Sequence, residues 1–213
     1  TRRDDNARFA ARLEVNLADM REPVVAYPNN PDIVVPLSET GREKIDEVFI
    51  GSCMSTVGHF RAAAAVLAGS GAPLGVKRLW IAPPTRMDRD QLSREGVLKT
   101  FEERGARIEI PGCSLCMGNQ ARVGDGTAVF STSTRNFDNR MGMGARVYLG
   151  SAVLAAVTAR LGRLPAPEEY FAMYRENVEP RRDEFFRHLR FSHYDNPAGR
   201  RRPASPSLTR RDR

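Results

Sequence analysis

Short apolar runs alternate with longer amphipathic segments through most of this sequence. Runs of four or five largely apolar residues bounded by glycine, proline or polar residues are typical of buried strands. Segments whose apolar residues recur every three or four positions are typical of helices that bury one face. The pattern predicts strands at 46–50, 78–82, 106–110, 128–131 and 146–149. It predicts helices at 56–67, 88–104, 151–162 and from Pro167 onward.

Strands that alternate with helices indicate an α/β fold with a mostly parallel sheet and helices on both faces. The first 23 residues are predicted to form an amphipathic helix, on which the apolar side chains are Phe9, Leu13, Leu17 and Met20. An extended stretch with several prolines follows at 24–37. The predicted organisation is a helical segment, an α/β domain, a helical extension and a tail, at residues 1–23, 24–163, 164–195 and 196–213.

The positive charge of the chain is concentrated at its C-terminal end. The net charge is +7, and residues 196–213 contribute +5 of it through six arginines and one aspartate. This stretch is rich in proline and serine and poor in apolar residues, which predicts disorder. Since the rest of the chain is nearly neutral, the high isoelectric point does not by itself indicate a nucleic-acid-binding face.

The composition also bears on the compartment. No apolar run approaches the ~18–20 residues that cross a bilayer, so no membrane partner is expected. No leader with a charged, an apolar and a small-residue part is recognisable at the start. The three cysteines are too few for a secreted disulfide framework, and an odd number cannot pair completely. We therefore expect a reducing, cytoplasmic location.

The three cysteines are the first candidate site. Cys53 comes directly after the predicted strand at 46–50, and Cys113 and Cys116 form a C-x-x-C motif after the strand at 106–110. Ligand sites of open α/β sheets lie beyond the carboxyl ends of the strands, so the three thiols are expected to converge there. Three thiolates leave one position of a four-iron cluster without a protein ligand, and that iron can bind substrate.

Spacing alone leaves several interpretations open. A C-x-x-C motif is also found in redox dithiols, in zinc sites and as a pair of inert buried thiols. Zinc requires a fourth ligand, for which His59 is the obvious candidate. His59 lies on the predicted helix at 56–67, where a hydrogen-bonded core histidine is the alternative.

The second candidate site is the loop after the predicted strand at 128–131. It contains Arg135 and Arg140, two arginines five residues apart. A guanidinium group matches a carboxylate with two parallel hydrogen bonds, so such a pair suits a small acid with several carboxylates. The alternative is a polar surface loop with two solvated arginines.

The combination of Gly51-Ser52-Cys53-Met54, Cys113-Ser114-Leu115-Cys116-Met117-Gly118-Asn119 and Arg135-Asn136-Phe137-x-x-Arg140 resembles the aconitase family, in particular its bacterial B-type branch. The resemblance extends from residue 1 to about residue 175. It implies that Cys53, Cys113 and Cys116 ligate a 4Fe-4S cluster. It also implies that Arg135 and Arg140 bind substrate carboxylates.

Family members interconvert citrate and isocitrate through cis-aconitate, and B-type members also act on 2-methyl-cis-aconitate. The resemblance therefore implies a hydro-lyase of the tricarboxylic acid or methylcitrate cycle, with the open iron as Lewis acid. The family's serine base lies on a separate domain, and no such motif is recognisable here. Ser131 and Ser133 precede the arginine motif and are not assigned that role.

We expect the chain to be a C-terminal, cluster-bearing portion of such an enzyme, with little activity alone and no catalytic acid or base of its own. The remainder of the longer chain would supply the rest of the active site. Two alternative functions remain at this point. One is an RNA-binding module in the cluster-free state, assisted by the basic tail, and the other is a structural zinc domain.

Overall fold

The structure, a computed structural model, describes residues 6–186. The strands within this range are β1 Val24–Ala26, β2 Val34–Pro36, β3 Glu47–Gly51, β4 Arg78–Ala82, β5 Arg107–Ile108, β6 Ala128–Ser131 and β7 Arg146–Leu149. The α-helices in the same range are α1 Val57–Ala68, α2 Arg86–Arg94, α3 Val97–Glu103, α4 Ala152–Leu161, α5 Pro167–Asn177 and α6 Arg182–Phe185. The tail predicted to be disordered, and residues 187–195 of the predicted extension, lie outside the described residues.

The strands form one sheet in the order β2-β1-β7-β6-β3-β4-β5. Neighbouring strands from β7 to β5 are parallel, whereas β1 is antiparallel to β7 and β2 is antiparallel to β1. At the centre, Phe49 of β3 pairs with Trp80 of β4 and with Ser131 of β6. The α/β class and the mostly parallel sheet are therefore confirmed.

The two faces of this sheet are covered by different structures. Val48 and Ile50 of β3 belong to a core that includes buried residues of α1, α3, α4 and α5. Phe49 lies between them and, because side chains alternate along a strand, packs on the other face with Leu115 and Cys116. The helices therefore share one face, and loops cover the second face, which we expected helices to cover.

Topology explains this division. The chain advances from β3 to β4 and β5 in one direction across the sheet, and from β6 to β7 in the opposite direction. Right-handed crossovers place connections that run in opposite directions on opposite faces. The segments before and after β6 therefore cover the second face, and these are the segments that contain the C-x-x-C motif and the arginine motif.

The predicted N-terminal helix is wrong for its described part, residues 6–23. Only a single 3₁₀ turn forms there, at Leu17–Asp19. Leu13 and Leu17 are 88% and 75% exposed, so the proposed apolar face is not buried against the rest of the described chain. Helices of this length are marginal in water unless an apolar face is packed. The stretch at 24–37, predicted only to be extended, forms the β1–β2 hairpin at the sheet edge.

The helix predicted at 88–104 is two helices, α2 and α3. Gly96 separates them with a left-handed φ of +75°. Glycine in a helix interior costs about 1 kcal/mol relative to alanine, so a break at this position is easily formed. The other predicted strands and helices within residues 24–177 agree with the structure to within one residue, except that the strand predicted at 106–110 is only Arg107–Ile108. Ser151 caps α4 by accepting the Leu154 N–H, and Gly162 ends that helix.

No helix within residues 6–186 is long and apolar enough to cross a membrane.

Candidate metal and anion site

Three segments that follow strand ends meet at the carboxyl edge of the sheet. The turn after β3 supplies Cys53, the segment after β5 supplies Cys113 and Cys116, and the loop after β6 supplies Arg135 and Arg140. They line one pocket of about 400 Å³, together with Ser52, Met54, Met117, Ser133 and Thr134. The connection after β3 runs towards β4, and the connection after the neighbouring strand β6 runs the opposite way, towards β7. The pocket lies at the carboxyl ends of these two strands, which is where open α/β sheets bind ligands.

The turn that carries Cys53 is fixed by the loop after β6. The N–H of Gly51 donates to the Thr132 hydroxyl at 2.8 Å, and that hydroxyl donates to the Gly51 carbonyl at 2.9 Å. Ser52 has a φ of +152°, which L residues rarely adopt, and its buried Oγ accepts the Met54 N–H at 3.2 Å. The backbone is therefore held tightly just before Cys53, while the Cys53 side chain stays exposed to the pocket.

The C-x-x-C motif ends in a 3₁₀ turn, Leu115–Met117. The first two residues of this turn, Leu115 and Cys116, are buried with Phe49 in the core on the second face of the sheet, whereas Cys113 is exposed. Gly118 ends the turn with a φ of +62°, and its carbonyl accepts the Nε–H of Arg122 at 2.8 Å. The buried residues of the turn thus attach it to the sheet, while Cys113, Cys116 and Met117 line the pocket.

The thiols interact with one another. Burial, and next the neighbouring Cys113, raise the pKa of Cys116 from 9.0 to about 11. Cys53 raises this pKa further, whereas the positive charge of Arg140 lowers it. Thiolates packed this closely repel each other until a cation compensates them. Deprotonation of Cys116 is therefore unfavourable unless a bound cation offsets the charge of the neighbouring sulfurs.

The arrangement does not suit a single metal ion. Among residues 6–186, no three His, Cys, Asp or Glu side chains converge on one point that could hold such an ion. His59, the candidate fourth zinc ligand, does not line the pocket. Its Nδ1 accepts the N–H of Thr56 at 3.0 Å and caps α1. Burial lowers the pKa of His59, so the ring is neutral at pH 7, as this cap requires.

A cubane cluster makes a different demand. Each thiolate binds a different iron, so the sulfurs need to surround a cavity rather than meet at a point. Three cysteines around a pocket of about 400 Å³ fit that requirement.

The arginine loop is attached to the sheet by Asn136, which is fully buried. Its amide nitrogen donates to the Tyr27 carbonyl of the edge hairpin at 2.5 Å and to the Val147 carbonyl of β7 at 3.2 Å. Asn136 is next to Arg135 in sequence, so these hydrogen bonds connect the hairpin at 24–37 to the arginine loop.

The arginine loop also packs against the cysteine loop. The Val123 N–H donates to the Met141 carbonyl at 3.0 Å. A side chain at Gly142 has no room, because its Cβ would lie 2.8 Å from the Val123 carbonyl oxygen. The relative position of thiols and guanidinium groups is therefore set by direct backbone contact between the two loops.

No carboxylate within residues 6–186 forms an ion pair with Arg135 or Arg140. The Nη2 of Arg140 donates to the Met117 sulfur at 3.0 Å, and its buried Nε has no hydrogen-bond partner in the same range. Two guanidinium groups in one pocket, without counter-charges among these residues, are chemically suited to an anion with more than one carboxylate.

Sequence reasoning missed four residues that build the pocket: Ser52, Thr132, Asn136 and Met117. Each lies within or beside a motif that was recognised, so a signal was present in the sequence. Ser52 acts locally, through the Met54 N–H, whereas the other three depend on partners distant in the chain, such as Gly51 for Thr132 and Tyr27 for Asn136. Those partners are known only from the folded structure.

Comparison with known proteins gives relatives over most of the chain. The model of the aconitase family (aconitate hydratase) matches residues 1–162. Aconitate hydratase B of Synechocystis sp. is 58% identical over 193 residues, which cover 91% of this chain and 22% of that protein. Aconitate hydratase B of Escherichia coli is 56% identical over 189 residues, which cover 89% of this chain and 22% of that protein.

A second kind of dehydratase also matches. The 3-isopropylmalate dehydratase large subunit of Clostridium kluyveri is 36% identical over 169 residues, which cover 78% of this chain and 40% of that subunit. The chain thus spans about a fifth of the aconitate hydratase B relatives and two fifths of this subunit. The match covers the sheet, the cysteine loop and the arginine loop. On this match over three quarters of its length, the chain belongs to the aconitase family.

Proposed function

We propose that this chain is the cluster-bearing portion of an aconitate hydratase, in which it holds a 4Fe-4S cluster and the carboxylates of a tricarboxylic acid. The observation that carries the proposal is one pocket shared by three free thiols and two guanidinium groups that form no ion pair within residues 6–186. Its relatives are named as aconitate hydratases B and as a 3-isopropylmalate dehydratase subunit. A hydro-lyase acting on citrate, cis-aconitate and isocitrate, or on the 2-methyl analogues, is the corresponding activity.

Cys53, Cys113 and Cys116 would hold the cluster. When bound, the cluster supplies a Lewis acid, at an iron without a protein ligand, for removal and addition of a hydroxyl group. The protein keeps one thiol buried and two exposed at the pocket. Cys116 would therefore hold the cluster next to the core on the second face of the sheet, while Cys53 and Cys113 would hold it from the exposed part of the pocket.

Arg135 and Arg140 would bind and orient the acid. Their charges offset those of a tricarboxylate, and their planar groups limit how each carboxylate can sit. Such binding would use part of the binding free energy to hold the reacting carbon in the geometry that the reaction requires. Because Arg140 also lies close enough to lower the pKa of Cys116, its bound carboxylate would lie beside the cluster ligands.

Proton transfer is not assigned to a residue of this chain. Ser131 and Ser133 are buried, and the Ser131 hydroxyl donates to that of Ser133 at 2.8 Å. The Ser133 hydroxyl in turn donates to the Arg135 carbonyl at 3.3 Å. These hydroxyls support the arginine loop. We therefore propose that residues outside this sequence complete the active site and that the 213-residue chain alone has little dehydratase activity.

Anaerobic reconstitution tests the cluster. The chain is incubated with iron and sulfide without oxygen, and iron, acid-labile sulfide and zinc are quantified. We expect about four irons and four sulfides per chain, with loss of both in Cys113→Ser. Ser93→Ala on the exposed side of α2 is the control and retains them. One tightly bound zinc without sulfide would overturn the proposal.

Calorimetry tests the anion site. Citrate is titrated into the reconstituted chain and into the Arg135→Lys and Arg140→Lys variants. Each variant is expected to bind citrate about tenfold more weakly, because lysine keeps the charge but loses the bidentate hydrogen bonds. Arg89→Lys, at an exposed position of α2, is the matched control. Equal affinities in all four proteins would exclude both arginines from the site.

A further inference from the structure

Met117 contacts Arg140, one of the two pocket arginines, neither of which has a carboxylate partner within residues 6–186. Its sulfur accepts a hydrogen bond from Nη2 of Arg140 at 3.0 Å. Within residues 6–186, the Nε of the same guanidinium group is buried without a hydrogen-bond partner. A thioether is a weak acceptor. Arg140 is therefore held in place, but only weakly, and stays available for an anion.

The Met117 side chain is also accessible. It is 45% exposed and lines the same pocket as the cysteines. Its backbone ends the 3₁₀ turn whose first two residues, Leu115 and Cys116, are buried. The turn therefore places the sulfur beside Arg140 on the accessible side of the pocket. Met141, in contrast, is fully buried beneath the loop.

We propose that Met117 is an oxidisable positioning residue, whose sulfoxide binds Arg140 tightly and weakens anion binding in the pocket. In the reaction, a lone pair of the sulfur attacks one oxygen of hydrogen peroxide, so that an S–O bond forms and the O–O bond breaks. The sulfur loses two electrons, the proton on the attacked oxygen passes to the other oxygen, and that oxygen leaves as water. The new sulfoxide oxygen is a much stronger acceptor than the thioether and lies within reach of the same Nη2.

The effect on binding follows from competition. A carboxylate that binds Arg140 must replace the sulfoxide oxygen, whereas it replaces only a weak contact when Met117 is reduced. This step rests on the proposed anion site. The contact between residue 117 and Arg140 does not, and it can be measured without any ligand.

The contact is tested by nitrogen-15 NMR of the Arg140 side chain in the cluster-free 213-residue chain. Three states of position 117 are compared: the native methionine, Met117→Leu without an acceptor, and Met117→Gln with an amide oxygen in place of the sulfoxide. We expect Met117→Gln to shift the Arg140 resonances and slow their exchange with water. Met117→Leu should accelerate that exchange. Identical Arg140 resonances in Met117→Gln and Met117→Leu would overturn the proposal.

Direct oxidation supplies the second readout. The chain with all three cysteines replaced by serine is treated with hydrogen peroxide and digested, and the masses of the peptides are measured by mass spectrometry. We expect one added oxygen at Met117 before any at the buried Met141, and reversal by methionine sulfoxide reductase. In the same background, citrate affinity should fall about fivefold on oxidation and recover on reduction. If oxidation of Met117 leaves the Arg140 resonances unchanged, the proposed role of Met117 is also contradicted.

The two proposals fail differently. If no form of the chain binds citrate, the proposed anion site is wrong, and the Arg140 resonances still decide the role of Met117. If citrate binds equally well with Met117 reduced, oxidised or replaced by glutamine, the anion site stands and the Met117 proposal is wrong. Met143→Leu, which removes an exposed methionine that does not line the pocket, is the control and changes neither measurement.

Discussion

The backbone of Gly118 lies directly against the carbonyl oxygen of Arg140, so that a Cβ at position 118 would come within 2.6 Å of that oxygen. Gly118 ends the turn that carries Cys116, and Arg140 is one of the two arginines in the pocket. This contact brings the thiol-bearing loop and the anion-binding loop together. The spacing between the two halves of the proposed site therefore depends on a residue without a side chain.

Replacing Gly118 by alanine should disturb both halves together. The new methyl group must push the loops apart, and the φ of +62° adds strain for any L residue. We expect a loss of about 2–3 kcal/mol in the free energy of unfolding. Reconstituted Gly118→Ala should also retain fewer irons and bind citrate more weakly.

A matched control separates the clash from the strain. Gly126 has nearly the same φ, +67°, but open space around its Cβ position. Gly126→Ala should therefore lower the free energy of unfolding by only about 1 kcal/mol, the cost of an L residue at this φ, and leave iron content and citrate affinity unchanged. If both variants lose iron equally, the Gly118–Arg140 contact is not what spaces the loops.

The Thr132 hydroxyl makes two hydrogen bonds to Gly51, just before Ser52 and Cys53. Thr132→Val keeps the shape but leaves the Gly51 N–H without this acceptor. We expect unfolding in urea, followed by the fluorescence of the single Trp80, to show a loss of about 1–2 kcal/mol. The reconstituted variant should release iron faster than wild type because the turn at Cys53 is loosened. Thr100→Val on the helix layer is the comparison, and unchanged iron release in Thr132→Val would contradict the assigned role.

Asn136 offers a test of how the arginine loop is held. Its amide nitrogen donates to two carbonyl oxygens in a fully buried position. Asn136→Asp puts a carboxylate against those oxygens and should cost about 3 kcal/mol or more, whereas Asn136→Ala should cost about 2 kcal/mol. The difference should narrow at acid pH, where the aspartate becomes a protonated donor. Urea unfolding at pH 7 and pH 4 measures both effects, and equal costs at both pH values would rule out this arrangement.

The pH dependence of stability should depend partly on Glu169. Its hydrogen bond from Arg163, and next that from the Ala166 N–H, lower its pKa from 4.5 to about 2. A carboxyl group whose pKa is lowered by folding stabilises the folded state fully when the pH is above its pKa in the unfolded chain. This stabilisation is lost as the pH falls from 4.5 towards 2. Wild type should exceed Glu169→Gln in stability at pH 7, and the difference should shrink across that range. A constant difference from pH 7 to pH 2 would show that Glu169 is not responsible.

The sequence by itself determined the parallel sheet and most of its elements. β4, β6 and β7 have the predicted bounds, since short apolar runs between glycines and polar residues leave few other ways to bury them. It also identified Cys53, Cys113, Cys116, Arg135 and Arg140, because the ends of parallel strands lie at one edge and bring those side chains together. Their roles as ligands remain a prediction that metal analysis and titration test.

Only the tertiary structure decided which residues hold this pocket together. The helix expected at 1–23 is missing from the described residues 6–23, because helical spacing does not form a helix when the apolar face stays exposed. Gly118, Thr132, Asn136 and Met117 act through Arg140, Gly51 and Tyr27, partners 22 to 109 positions away, which no local pattern reveals. Local periodicity specifies the elements, whereas the contacts between loops arise only when the sheet order and the two opposed crossovers bring those loops together.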